Sequence, residues 1–310
     1  MISVVVPIYN EVETIPELVG RLERALEPLG EHEVVLVDDG SQDGSWQALV
    51  AERARNHRLR LLRLSRNFGH QVAISAGMDA ARGDAVVTMD GDLQDPPEVI
   101  ADLVARWRDG FDVVYAIREH REGETRFKLW TASLFYRLIG RMTPIPIPEQ
   151  AGDFRLLSRR AADAFARMPE RARFIRGMTS WIGFRQTGVP YRREARGAGS
   201  TKYPLRRMVH FATDAITSFS TTPIRIVTGI GFASVIFCVA YLCWTLYVRL
   251  FTDTAVQGWA SVIVLVLGFG GLQLVGLGII GSYVGRIFEE VKQRPLYLVD
   301  EVVEPDTLEQ

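Results

Sequence analysis

Short apolar runs alternate with longer stretches of helical spacing over the first 120 residues. Ser3–Ile8 reads as a buried strand. Val12–Leu29 follows, with Ile15, Leu18, Val19, Leu22, Leu26 and Leu29 on one side, the spacing of an amphipathic helix. The alternation continues with Glu33–Val37 as a strand, Asp43 capping a helix to about Asn56, and Arg60–Leu64 as a strand. Gln71–Ala81 reads as a helix, Ala85–Met89 as a strand, Pro97–Asp109 as a helix and Asp112–Ile117 as a strand. Strands alternating with helices predict an α/β fold, a mainly parallel sheet with helices on both faces.

Beyond this region the pattern changes. Arg126–Met142 predicts an amphipathic helix whose stripe of Phe127, Trp130, Leu134, Phe135, Leu138 and Ile139 suits either core packing or a lipid surface. Pro144, Pro146 and Pro148 make a rigid break. Phe154–Leu157 reads as a strand and Ala161–Arg167 as a helix. A basic, glycine-rich loop, Arg196–Lys202, precedes a predicted amphipathic helix over Tyr203–Thr222, placed along a membrane surface.

Two uncharged apolar stretches follow, Ile226–Val248 and Trp259–Val284. Each is long enough to cross a hydrocarbon core of about 30 Å as a helix. The short polar spacer between them makes the pair a transmembrane hairpin. Arg206, Arg207 and Arg225 precede it, and Arg286, Lys292 and Arg294 follow it. The positive-inside rule therefore places both termini in the cytoplasm. Gly229, Gly231, Gly268, Gly270, Gly271, Gly276, Gly278 and Gly281 fit close helix packing in lipid, including packing between the protomers of a homo-oligomer.

The 310 residues carry a formal charge of −1, which argues against broad nucleic-acid binding. The two cysteines, Cys238 and Cys243, have no metal-ligand spacing and are expected to be buried, reduced thiols. Met1–Pro7 has no basic start and no small-residue cleavage site, so it does not read as a signal peptide. The first part of the chain is expected to stay in the cytoplasm.

The candidate chemistry lies where strands end. Val86–Met89 is an apolar run, and Asp90, Asp92, Gln94 and Asp95 follow at once. In an extended chain alternate side chains point the same way, so Asp90, Asp92 and Gln94 can converge on one point. Two carboxylates and an amide oxygen suit a hard divalent cation such as Mg²⁺ or Mn²⁺, which normally shares its coordination with substrate phosphates. Asp95 before Pro96-Pro97 suits a helix cap. Val5-Val6-Pro7-Ile8-Tyr9-Asn10-Glu11 and Val35-Leu36-Val37-Asp38-Asp39-Gly40-Ser41 end two further strands with polar tips. Carboxyl ends of strands are where open α/β sheets bind ligands. Three such tips point to a nucleotide site, in which Asp38 can accept from a pyrimidine N–H while Pro7, Tyr9 and Glu11 pack on base and ribose.

Pro7-Ile8-Tyr9-Asn10-Glu11, Val37-Asp38-Asp39-Gly40-Ser41, Arg66-Asn67-Phe68-Gly69 and Asp90-Gly91-Asp92-Leu93-Gln94 resemble the motifs of family 2 glycosyltransferases with the GT-A fold. Gly152-Asp153-Phe154-Arg155 and the hairpin narrow the resemblance to the polyprenyl-phosphate branch, which includes bactoprenol glucosyltransferases and dolichyl-phosphate mannose synthase. The resemblance implies a GT-A nucleotide-sugar-binding catalytic domain over residues 1–200 and an amphipathic juxtamembrane helix over 201–223. Two transmembrane helices within 224–285 and a cytoplasmic tail over 286–310 complete it. It implies that Pro7, Tyr9, Glu11, Asp38 and Asp90 hold the nucleoside, and that Asp90, Asp92 and Gln94 hold Mg²⁺ or Mn²⁺. Asp153 matches the acidic position proposed as base. Arg118, Arg126, Lys128, Lys202 and Arg206 are candidates for donor or lipid phosphates. His70 shapes the nucleotide loop, either as a packed residue or as a catalyst.

The implied activity is inverting, metal-dependent transfer of a hexose from a nucleotide sugar, UDP-glucose first among them, to undecaprenyl phosphate. It would occur at the cytoplasmic face of a bacterial inner membrane. Two rivals share the fold. A processive polysaccharide synthase should carry Gln-x-x-Arg-Trp, which does not occur here. A non-catalytic membrane scaffold would not need an intact acidic cluster. A Rossmann dehydrogenase is set aside, since no Gly-x-Gly-x-x-Gly follows the first strand.

Overall fold

The computed structural model describes residues 1–118, 151–193, 221–251 and 258–304. The chain divides into two compact units. The first holds residues 1–140, 145–204 and 294–310, and the second holds 141–144 and 205–293.

The first unit is built on an eight-stranded mixed sheet. Its strands are β1 (Ile2–Ile8), β2 (His32–Asp38), β3 (Leu59–Leu64), β4 (Ala85–Thr88), β5 (Val113–Arg118), β6 (Ala151–Ser158), β7 (Gln186–Tyr191) and β8 (Val299–Val303). Their order is β7-β5-β6-β4-β1-β2-β3-β8. The pairs β4–β1, β1–β2, β2–β3 and β5–β7 run parallel, while β6 lies antiparallel between β4 and β5. The consequence is geometric. The carboxyl ends of β1 to β5 and β7 share one edge with the amino end of β6.

Among the described residues, helices α1 (Ile15–Leu26), α2 (Ser45–Arg53), α3 (His70–Ala80), α4 (Ile100–Arg108), α5 (Arg159–Ala166) and α6 (Ile175–Trp181) belong to the first unit. Every residue of β1 and β2 is buried, as expected for a parallel sheet covered on both faces. On one face Val4, Val6 and Ile8 pack with Ile15, Leu18 and Leu22 of α1, with Trp46 and Leu49 of α2, and with Ile100 and Leu103 of α4. On the other face α3 lies so close that a Cβ at Gly77 would sit 2.2 Å from Val5 Cγ1 and 3.0 Å from Val37 Cγ2.

The alternating elements expected from the sequence all form. Helix α6 and strands β7 and β8 were not expected. The last is a correction of organisation, since part of the stretch read as a tail pairs antiparallel with β3. Ser65 N donates to Leu298 O at 2.9 Å just beyond that pairing. The helices expected over 126–142 and most of 203–222 lie outside the described residues.

The second unit contains α7 (Thr222–Phe251) and α8 (Trp259–Val291). Spans Thr222–Val248 and Gly268–Val291, of mean hydropathy 2.2 and 1.3, are long and apolar enough to cross a membrane. Their large apolar side chains, Phe232, Ile236, Trp244 and Leu274 among them, are exposed. Cys238 and Cys243 are free, but they are exposed on α7 rather than buried as expected, because no described residues bury that helix. Of the eight span glycines, only Gly276 is close to a described neighbour, Val227.

Gly77→Ala tests the packing of α3. Alanine favours a helix over glycine by at most about 1 kcal/mol. Overpacking at a site with no room costs about 1–3 kcal/mol. The apparent melting temperature of the purified protein is therefore expected to fall, and an unchanged or higher value would contradict this packing.

Candidate active site

The shared sheet edge gathers the polar tips. Backbone pairing puts Ile8 opposite Asp38, and Met89 N donates to Val5 O at 3.1 Å, so the segments after β1, β2 and β4 leave the sheet side by side. The first two are joined by side chains. Asn10 N donates to Ser41 Oγ (3.0 Å), Gln42 N to Asn10 Oδ1 (2.9 Å) and Glu11 N to Ser45 Oγ (3.0 Å). Pro7 is buried here and Tyr9 is 46% exposed. Asp38 is fully buried. Its Oδ1 accepts from Ser41 N at 3.2 Å, while Oδ2 accepts no hydrogen bond among the described residues and has Arg63 Nε 3.9 Å away. Asp43 does not cap α2 from the N-cap position, which Gly44 holds. It instead accepts from the backbone and hydroxyl of Ser45.

The segment after β3 is clamped. Asp39 Oδ1 accepts from Phe68 N (2.7 Å) and Oδ2 from Gly69 N (2.9 Å). Gly40 lies against the same segment, where a Cβ would meet Arg66 C at 2.6 Å. Gly69 takes φ +101°, a conformation that side chains oppose, and so turns the chain into α3 at His70. Burial raises the Asp39 pKa above the usual carboxylate range, against the two backbone donors that lower it.

That turn delivers His70 and Gln71 to Asp153. Strand β6 runs antiparallel to β4, and Thr88 Oγ1 donates to Asp153 O at 2.6 Å, which fixes Asp153 at the edge. His70 Nε2 lies 3.2 Å from Asp90 Oδ1 and 3.6 Å from Asp153 Oδ2. Gln71 Nε2 donates to Asp153 Oδ2 at 2.9 Å, and Gln71 Oε1 accepts from Ile175 N at 3.0 Å. Arg176 Nε donates to Asp153 Oδ1 at 3.0 Å. Below them the buried Arg155 donates to Gly152 O at 2.6 Å and to the Thr179 hydroxyl. Burial opposes charge on both His70 and Asp153, but pairing wins. The His70 pKa is pushed up to about 10 by Asp153 and Asp90. The Asp153 carboxyl is held far below its usual range by His70, Arg176 and Arg155.

The acidic segment after β4 is bent, not extended. Leu93 has φ +57°, so the alternation expected to aim Asp90, Asp92 and Gln94 in one direction does not hold. Gln94 is buried, and its backbone N–H donates to Asp92 Oδ1 at 3.1 Å. Arg193, from just past β7, brings Asp90 and Asp92 together instead. Its Nη2 lies 4.0 Å from an oxygen of each. Nor does Asp95 cap a helix. The turn at Pro97–Val99 has no side-chain cap, and Asp95 is fully buried, accepting from Tyr191 OH at 2.5 Å. Arg193 Nε is 3.4 Å and Arg118 Nη2 3.9 Å from the same Asp95 oxygen. Burial, with the charge of Asp90, raises the Asp95 pKa.

A nitrogen of His70 and oxygens of Asp90 and Asp153 all lie within 4.8 Å of one another. The two carboxylates suit a divalent cation such as Mn²⁺, and an imidazole joins such a set only in its neutral form; the residues present fit one. Of the residues expected at the site, Asp90, Asp92, Gln94, Asp153 and Arg118 line this edge, with Pro7, Tyr9, Glu11 and Asp38 at the tips of β1 and β2. Arg126, Lys128, Lys202 and Arg206 lie outside the described residues. Sequence reasoning missed Gln71, Arg176, Tyr191 and Arg193. The one available signal was that Gln71 directly follows Arg66–His70, just beyond the end of β3.

The glycosyl transferase family 2 model matches residues 3–165. The chain belongs to that family, and it is a glycosyltransferase. It is 47% identical to the uncharacterized glycosyltransferase YkcC of Bacillus subtilis (strain 168), over 96% of this chain and 92% of that one. It is 45% identical to the uncharacterized glycosyltransferase sll0501 of Synechocystis sp., over 97% and 95%. Against the prophage bactoprenol glucosyl transferase homolog of Escherichia coli (strain K12), identity is 40% over 97% and 99%.

The His70 pairing has a pH signature. Its folded pKa, about 10, lies above the ordinary 6.5, so its stabilisation is fully present below about pH 6.5 and is lost as pH rises through about 10. Melting of the metal-free protein between pH 6.5 and 10 is expected to fall more steeply for wild type than for His70→Gln. Parallel curves would contradict the pairing.

Proposed function

We propose that this glycosyltransferase moves one hexose from a nucleotide sugar, UDP-glucose, to undecaprenyl (polyprenyl) phosphate at the cytoplasmic face of a bacterial inner membrane, inverting the anomeric centre. The observation that carries the acceptor is the 40% identity to a bactoprenol glucosyl transferase homolog across nearly the whole chain, the apolar helices included. The acidic edge supports the donor. A sugar nucleotide leaves poorly until its diphosphate charge is balanced. Asp90 and Asp92, brought together by Arg193 rather than by strand alternation, would hold Mg²⁺ or Mn²⁺ with Gln94, and the ion when bound would neutralise that charge. Pro7, Tyr9, Glu11 and Asp38, at the neighbouring tips, would hold the nucleoside.

The acceptor's oxygen needs little help. A phosphate monoester has its second pKa near about 6 and is mostly ionised at neutral pH. Asp153, kept ionised by Arg176 and His70, is poorly suited to take a proton and well suited to orient its neighbours. Positive charge developing at the anomeric carbon would find the carboxylates of Asp153 and Asp90 already in place. Arg118, Arg126, Lys128, Lys202 and Arg206 would receive donor or lipid phosphates.

The hairpin reading is supported by chain order. Strand β8 belongs to the catalytic sheet, so the chain rejoins that unit after α7 and α8. Two crossings satisfy this return and one does not. The flanking arginines and lysine favour the cytoplasm for both ends. A juxtamembrane helix over 201–223 would then hold the site near lipid headgroups, raising the effective concentration of acceptor.

The test is incubation of the purified full chain with Mg²⁺ or Mn²⁺, undecaprenyl phosphate and radiolabelled nucleotide sugars. Label from UDP-glucose is expected in the lipid phase. Label from another donor would replace the sugar, and no label from any donor would overturn the acceptor. Asp92→Asn is expected to cut transfer by at least about 100-fold, the upper end of losses from outer-sphere changes at metal sites. Full activity in that variant would remove Asp92 from the site.

A further inference from the structure

Arg193 is a residue at this edge that neither the motifs nor the proposed transfer requires. It stands two residues beyond β7, and its guanidinium spans three carboxylates. Nε lies 3.4 Å from Asp95, and Nη2 lies 4.0 Å from both Asp90 and Asp92. The Asp95 end is an anchor. That carboxylate is fully buried and also held by the Tyr191 hydroxyl and by Arg118. The Asp90 and Asp92 end is looser and reaches the oxygens that a divalent cation would take. An arginine keeps its charge at any pH the protein survives, so a cation approaching those oxygens meets a fixed like charge within a few ångströms.

We propose that Arg193 is the resident counter-ion of the acidic pocket, holding Asp90 and Asp92 together until a divalent cation displaces it and weakening the binding of that cation when it comes alone. The proposal rests on Asp90 and Asp92 being cation ligands, and not on the donor sugar or the lipid. A cation that arrives with a diphosphate brings negative charge for the displaced guanidinium to pair with. Arg193 therefore favours the cation–diphosphate pair over the bare ion, while Asp95 keeps its side chain at the edge.

The experiment is titration of Mn²⁺ into the purified full chain, without nucleotide or lipid, reading free Mn²⁺ by electron paramagnetic resonance. Arg193→Gln removes the charge and keeps hydrogen-bonding groups; Arg193→Lys keeps the charge. Arg193→Gln is expected to bind Mn²⁺ about tenfold more tightly than wild type, as removing a like charge a few ångströms away predicts. Arg193→Lys is expected to stay within about threefold of wild type, since it keeps that charge. Unchanged or weaker binding by Arg193→Gln, or equal tightening by Arg193→Lys, would overturn the proposal. Asp92→Asn separates the two ideas. If wild type binds Mn²⁺ through Asp92 and Arg193→Gln changes nothing, only the counter-ion role fails. If neither wild type nor Arg193→Gln binds Mn²⁺ at millimolar concentration, the cation reading fails and takes the counter-ion with it.

Discussion

Carboxylates crowded at one sheet edge are the constraint on which this structure turns. Asp90, Asp92, Asp95 and Asp153 lie where parallel strands end and β6 begins, three of them within reach of a single arginine. Charges so placed lose hydration and repel one another unless cations are supplied beside them. Here the supply is His70, Arg118, Arg176 and Arg193. Each comes from a different part of the chain, and each is set by the sheet's topology. The charged edge and the fold that builds it are therefore one problem.

The scaffold beneath that edge is rigid for identifiable reasons. Both faces of β1 and β2 are covered, and α3 approaches so closely that only glycine fits at residue 77. The 66–69 segment is held from two sides. Asp39 binds its backbone amides, and β8 pairs with the strand that leads into it. His70 and Gln71 inherit their positions from that clamp, and Asp153 inherits its orientation from them.

Much of this was legible in the sequence, because the alternation of apolar runs and helical spacing is strong before residue 120. The tips at Asp38 and Asp90 could be read because each follows a buried strand directly. What the sequence hid was set by tertiary geometry. Leu93 bends the acidic segment, which no pattern of apolar residues announces. Asp95 looks like a cap but is drawn into the interior by Tyr191 and Arg193, which are about a hundred residues away in the chain. Strand β7, and with it Tyr191, was missed because Gln186–Tyr191 contains a glycine and a proline and shows no clean alternation. Strand β8 was missed because its edge position leaves it mostly exposed, so Val299–Val303 lacks a buried strand's pattern.

The central claim is that the bent segment after β4 offers its carboxylates to a cation shared with a nucleotide's diphosphate. A structure of the full chain with Mn²⁺ and UDP tests it most directly. The account predicts density for the ion about 2.0–2.5 Å from oxygens of Asp92 and of the diphosphate, with the uracil beside Tyr9. An ion and diphosphate bound away from this edge, with Asp90 and Asp92 still paired to Arg193, would contradict it.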